Sequence, residues 1–303
     1  MKLHVIYRSY GGENRKSRPA YFSKLLALAS FVRAVDQLES PVGLTFLNDG
    51  PVANDAYRLM QAVGRVVAFD RLGCRGSYAK ALTLAAGCTG DESDIMWLAE
   101  DDYLYRPDAL ERLLSAARLI PWASYFALYG SFPTPEAEMS GEEDDIAPRG
   151  WRDQGGVTVH GHCWRHAVST TSTFGARLPA LRRDRQLFRT ALYSARAWDH
   201  QTCLAYQGYV PFRGRWLLQD PSTRGTESVK SRIKVLGATP IKVVVDAMAY
   251  RRARQPGLLV APRPALATHL ELPYIAPGTD WDAEAEATTE WARSRGIPVP
   301  QSA

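Results

Sequence analysis

Three consecutive carboxylates, Glu100-Asp101-Asp102, close the apolar run IMWLA. Like charges side by side repel one another, and a divalent cation bound through hard oxygen ligands, Mg²⁺ or Mn²⁺, offsets that repulsion. Such an ion would bridge a diphosphate and neutralise the charge that develops on it as it leaves. The plain structural alternative is a helix N-cap, with Asp102 or Asp108 satisfying free amides at a helix start. Further polar strand ends weigh toward the ion. Arg8 to Tyr10, Asn48-Asp49 and Asp70-Arg71 each follow an apolar run of their own.

The elements that must position these groups alternate between strand and helix. Apolar β-rich runs stand at 3–7 (LHVIY), 42–49 (VGLTFLND), 65–70 (RVVAFD), 94–102 (DIMWLAEDD) and 122–130 (WASYFALYG). Helical patterns lie between them: Pro19 opens one with Leu25, Leu28, Phe31, Val32 and Val35 on a single stripe, and others cover 54–63, 78–87 and 109–119. This alternation predicts an α/β fold with a mostly parallel, twisted central sheet flanked by helices. In such sheets ligands bind beyond the carboxyl ends of the strands, where the acids lie. The reading divides the chain into residues 1–131, an acidic loop at 132–150, a second half at 151–280 and a C-terminal helix and tail at 281–303. In that second half 184–192 and the stretch after Trp198 read as helices, and IKVVVDAMAY (241–250) reads as a strand.

Composition narrows the function. The 303 residues are 46% hydrophobic and 23% charged, a globular balance that needs neither disulfide nor metal to fold. A net charge of +5 favours anionic ligands but falls short of a nucleic-acid-binding surface, and no basic stripe interleaves with aromatics. No apolar stretch reaches the length of a transmembrane segment, the N-terminus lacks a secretory pattern, and the four cysteines form no CxxC pair. These features are read as those of a cytoplasmic protein with reduced thiols.

The layout over residues 3 to about 130 resembles the GT-A glycosyltransferases, the family 2 type in particular. The likeness rests on an N-terminal strand, a strand ending in Asn48-Asp49-Gly50, the segment RLGCRGSYAKAL and a strand ending in the acidic triad. The resemblance implies a metal-dependent enzyme that moves a sugar from a nucleotide-sugar donor to a carbohydrate or small-molecule acceptor. It puts Asp102 on the metal, Glu100 on the ribose or behind the metal, and Asp49 against the base, with Arg8, Tyr10 and Asp101 on the nucleotide side. It also suggests a histidine late in the chain as a further metal ligand, which maps to His269. Two departures stand out: Glu opens the triad, and Asn48-Asp49-Gly50-Pro51 replaces the usual Asp-Asp-Gly-Ser.

Glycosyl transfer also needs cations for the diphosphate and a base for the acceptor hydroxyl. Arg71, Arg75 and Lys80 are candidates for the first, or ordinary solvated charge. Asp199, beside Trp198, is the candidate base, which would make the transfer inverting, with the indole as a sugar-stacking surface; a helix cap satisfies the same position. Thr173 and Phe174 end a hydroxyl run that would bond sugar hydroxyls in a cavity, or reflect β-propensity alone. His160 and His162, alternating in a strand, would share a face as a metal pair or a polar patch. The basic stretch Arg224 to Arg232 reads as a lid over the diphosphate or a surface loop. Two other functions stay open: a sugar nucleotidyltransferase, with Arg8 to Lys16 as a loose phosphate loop, and a non-catalytic nucleotide- or carbohydrate-binding protein.

Overall fold

A computed structural model of the chain describes residues 1–12, 16–133, 147–195, 197–219 and 235–300. The acidic run at 136–145 and the stretch Arg224 to Arg232 lie outside these residues. In chain order the elements begin β1 (Leu3–Tyr10), α1 (Lys24–Asp36), β2 (Gly43–Asp49), α2 (Asn54–Val63), β3 (Arg65–Phe69), α3 (Gly73–Ala86) and β4 (Ile95–Glu100). There follow β5 (Tyr103–Tyr105), α4 (Ala109–Leu119), β6 (Tyr125–Phe126), β7 (Gly156–Val159), β8 (His162–His166) and β9 (Phe174–Arg177). The remainder is α5 (Leu178–Ala191), α6 (Trp198–Tyr206), α7 (Thr239–Arg252), β10 (Leu259–Arg263), β11 (Ala267–His269) and α8 (Trp281–Ser294).

Among the described residues nine strands form one sheet in the order β3-β2-β1-β4-β9-β6-β10-β8-β7. The β3-β2-β1-β4 half is parallel throughout. Beyond β4 only β9 and β8 run against the rest, so the sheet is mostly parallel in direction. Side-chain alternation divides the core into two layers. Leu3, Val5 and Tyr7 of β1, with Ile95, Trp97 and Ala99 of β4, pack under α1, α2 and α4. Ile6, Leu47, Met96 and Leu98 face the other way, toward α3, α5, α6 and α7. Strands buried on both faces read as nearly unbroken apolar runs, which is why β1, β2 and β4 were visible in the sequence; β3, at the sheet edge and only half-buried, was visible through its own short apolar run.

Three elements differ from expectation. The run 241–250 is helical: Thr239–Arg252 begins with Pro240 in its first turn and buries Lys242, Val245 and Ala249, three and four residues apart. Val243 and Val244 are exposed, so two of the four β-branched residues that suggested a strand lie on the solvent side. Of 122–130 only Tyr125–Phe126 pair as strand, and β4 stops at Glu100 before a turn at Asp101-Asp102. His160 and His162 do not alternate within one strand. His160-Gly161 is the two-residue turn of the β7–β8 hairpin, with φ of 46° and 81°, and His162 hydrogen-bonds the Pro264 carbonyl through Nδ1. No helix among the described residues is long and apolar enough to cross a membrane.

Candidate functional site

Register places the first two charged groups. Arg8 stands opposite Glu100 across β1 and β4, and both point to the α3 side of the sheet, where they form a close ion pair. Arg8 is buried, donates to the Cys74 carbonyl at 3.2 Å and lies 5.0 Å from the centre of the Tyr78 ring. Burial raises the Glu100 carboxyl above its ordinary value, and the pull of Arg8 does not cancel this. Asp101, next in the chain, accepts from the Tyr10 amide at 2.8 Å and pairs with Lys24 at 2.9 Å. Lys24 also donates to the carbonyls of Tyr10 and Gly12, so it ties the chain leaving β1 to the rim.

Asp102 and His269 meet through a second, two-stranded sheet. β11 pairs antiparallel with β5 so that His269 stands opposite Tyr103, and the Leu270 amide donates to the Asp102 carbonyl. His269 Nε2 lies 3.1 Å from Asp102 Oδ2, and its ring stacks on Tyr103 with centroids 5.1 Å apart. Arg18 and Lys16 reach the same oxygen at 3.2 and 3.4 Å. Burial opposes ionisation of Asp102, but the His269 hydrogen bond and the charges of His269, Lys16 and Arg18 outweigh it and hold the carboxyl well below the usual range. Each acid of the triad therefore has its own cation from the first part of the chain: Arg8 of β1 with Glu100, Lys24 at the start of α1 with Asp101, and Arg18 with Lys16, from the connection between them, on Asp102. Mutual repulsion of the triad is offset by the protein itself.

Other predicted residues divide between the rim and the core. Thr173 Oγ1 lies 3.4 Å from Glu100 Oε2 and belongs to the rim. Asp199 sits in the first turn of α6, where the His200 amide donates to it at 3.0 Å. Burial raises the nearby Tyr78 hydroxyl; Arg8 opposes the rise, and Glu100 and Asp199 add to it. Trp198 packs 4.5 Å from the Tyr78 ring and is only 8% exposed, so it is a core residue and not an open stacking surface. Phe174 is likewise core, stacked on Phe188 at 5.5 Å. Asp49, expected against a base, has partners within the chain. It is buried, and its two oxygens accept from the Leu72 and Gly73 amides at 2.6 and 2.7 Å, tying down the start of α3. Arg71 has a positive φ of 50° in the turn that Asp49 holds, and Lys80 lies 5.5 Å over the Phe69 ring on exposed helix surface.

Lys16, Arg18, Lys24 and Glu271 complete the cluster; of these the sequence reading includes only Lys16, as the end of the loose phosphate loop of the nucleotidyltransferase alternative. Glu271 pairs with Lys16 at 3.0 Å. The available signal was the basic alternation Lys16-Ser17-Arg18 directly after the first strand, opposite an acidic strand end.

No family model matches the chain, and no curated protein matches it. Solved structures similar to it include S. aureus TarS 1–349, at 12% identity and a TM-score of 0.42, covering 70% of this chain and 56% of that one. Another is CMP:2-keto-3-deoxy-manno-octonic acid synthetase complexed with CTP, at 12% identity and a TM-score of 0.41, covering 97% and 100%. A third is glucosyl-3-phosphoglycerate synthase from Mycobacterium tuberculosis in complex with Mn²⁺, UDP and phosphoglyceric acid, at 13% identity and a TM-score of 0.37, covering 67% and 63%. At identities and scores this low, these likenesses carry no inference about activity.

Proposed function

We propose that the chain is a metal-assisted glycosyltransferase that moves a sugar from a nucleotide-sugar donor to an acceptor hydroxyl. The observation that carries this reading is the approach of Asp102 and His269 to 3.1 Å at the rim of a parallel half-sheet, from positions 167 residues apart. That separation suits an ion. Two ligands of a hard octahedral cation with bonds of about 2.1 Å stand about 3.0 Å apart in neighbouring positions. Among the described residues no group of three His, Cys, Asp or Glu side chains forms a cage. Asp102 and His269 alone would hold Mg²⁺ or Mn²⁺ in this reading, with phosphate oxygens and water as the other ligands, and the bound ion would supply charge that stabilises a departing diphosphate.

The chain's own groups act around that point. Arg8, pinned by Glu100 and the Cys74 carbonyl, is a preorganised cation beside the donor site. Thr173 offers a hydroxyl on the same rim. Residues 1–131 form the donor half and 151–280 the acceptor half. Asp199 takes the proton of the acceptor hydroxyl, and a base facing the leaving group gives inversion at the anomeric carbon. Asp49 acts by fixing the turn before α3. Four free cysteines accord with a reducing cytoplasm.

The test is a product assay with a panel of nucleotide sugars and acceptors in the presence of Mn²⁺. Acceptor-dependent release of a nucleoside diphosphate supports transfer. Pyrophosphate release from a nucleoside triphosphate and a sugar would replace it with nucleotidyl transfer, and neither product would leave a binding protein.

A further inference from the structure

A side-chain cation already sits on both groups that would receive the ion. Lys16 Nζ is 3.4 Å from Asp102 Oδ2 and 3.2 Å from His269 Nε2, and its third partner is Glu271 at 3.0 Å. An imidazole nitrogen has one in-plane position. It can carry a proton toward Asp102, accept an N–H from Lys16, or bind an ion, and these are mutually exclusive. Charge leads to the same result. Asp102 and Glu271 face Lys16 and Arg18, two acids against two bases before His269, which touches both acids, is counted, so a dication entering alone meets a cluster with no negative charge to spare. A diphosphate brings negative charge of its own and reverses that balance.

The cluster also indicates which cation would leave. Arg18 is clamped by the Leu270 carbonyl at 2.6 Å and lies 4.3 Å over the Phe22 ring. Lys16 has the most exposed side chain of the group, 29% against 14% for Arg18 and 12% for Asp102, and Glu271 remains as its partner if it moves.

We propose that Lys16 is a resident cation that occupies the ion's place on Asp102 and His269 and yields it only when ion and diphosphate arrive together. The protein then takes up Mn²⁺ weakly by itself and strongly beside a nucleotide, which orders assembly of the donor site. This rests on the reading of Asp102 and His269 as ion ligands. A slot open in about one molecule in ten weakens the apparent affinity about tenfold.

Mn²⁺ binding to the full chain without nucleotide, read from the free-ion EPR signal at fixed pH and ionic strength, tests this. Lys16→Met should bind Mn²⁺ about tenfold more tightly than wild type, Lys16→Arg should not, and adding Asp102→Asn to Lys16→Met should abolish the gain. Melting curves in metal-free buffer establish that each variant is folded, and Lys16→Gln serves if Lys16→Met is not. Equal Mn²⁺ affinity in wild type and Lys16→Met, with both weakened by Asp102→Asn, overturns the role of Lys16 and leaves the ion ligands standing. No Mn²⁺ uptake by any variant, with or without UDP, overturns the ion reading itself and the role of Lys16 with it.

Discussion

Replacing Asp49 distinguishes a structural role from a nucleotide contact. Its carboxylate accepts two short hydrogen bonds, 2.6 Å from the Leu72 amide and 2.7 Å from the Gly73 amide, and it is 2% exposed. A hydrogen bond to a charged group contributes about 1.5–3 kcal/mol, and loss of a helix cap about 1–2 kcal/mol. Leu72 and Gly73 are themselves exposed, so water replaces part of what is lost. Asp49→Ala should therefore destabilise the fold by about 2–4 kcal/mol, and Asp49→Asn, which keeps one acceptor oxygen, by about 1–2 kcal/mol. Urea denaturation followed by far-UV circular dichroism gives the stability, and calorimetric titration with UDP gives the affinity. The reasoning fails if Asp49→Ala stays within about 0.5 kcal/mol of wild type while its affinity for UDP collapses. That outcome would return Asp49 to the nucleotide.

Further outcomes follow from the same geometry. Trp198→Ala should cost about 3–5 kcal/mol as a core cavity, measured by denaturant midpoint; a change under about 1 kcal/mol would indicate an indole free for a ligand. Burial pushes the Asp246 carboxyl up to about 6 despite its bond from the Phe212 amide. The folded chain thus binds that proton more tightly than the unfolded chain, whose value is about 3.9, and this contribution to stability falls as pH rises from about 4 to 6. Asp246→Asn should remove that slope and, allowing for partial exposure, stabilise by about 1 kcal/mol at pH 7; a slope unchanged in denaturation series across that window would refute it. Asp199→Asn should lower turnover by about 10²–10⁴-fold with donor affinity unchanged, and full turnover would exclude it as the base.

The parallel half of the fold was legible because β1, β2 and β4 are largely buried on both faces and α1 carries a clear apolar stripe. The site was legible as far as residue type at a strand end carries information. Glu100, Asp101 and Asp102 were found that way, and His269 through the family resemblance. What the sequence concealed was set by partners distant along the chain. Asp49 meets amides 23 and 24 residues on, and the cations of the triad lie 77 to 92 residues before their acids. The helix over Thr239–Arg252 was hidden because its β-branched residues matched strand propensity, while the buried spacing of Lys242, Val245 and Ala249 places a long polar side chain in an apolar stripe. Trp198 and Phe174 show the same limit from the other side, since an aromatic beside polar residues reads alike whether it faces a ligand or the core.

Anomalous diffraction from crystals grown with Mn²⁺ and UDP tests the central claim most directly. The account predicts a manganese peak bonded to Asp102 Oδ2 and His269 Nε2, with the diphosphate completing its shell and Lys16 Nζ drawn away from both atoms. Manganese and phosphates bound elsewhere, with Lys16 still on Asp102 and His269, would contradict it.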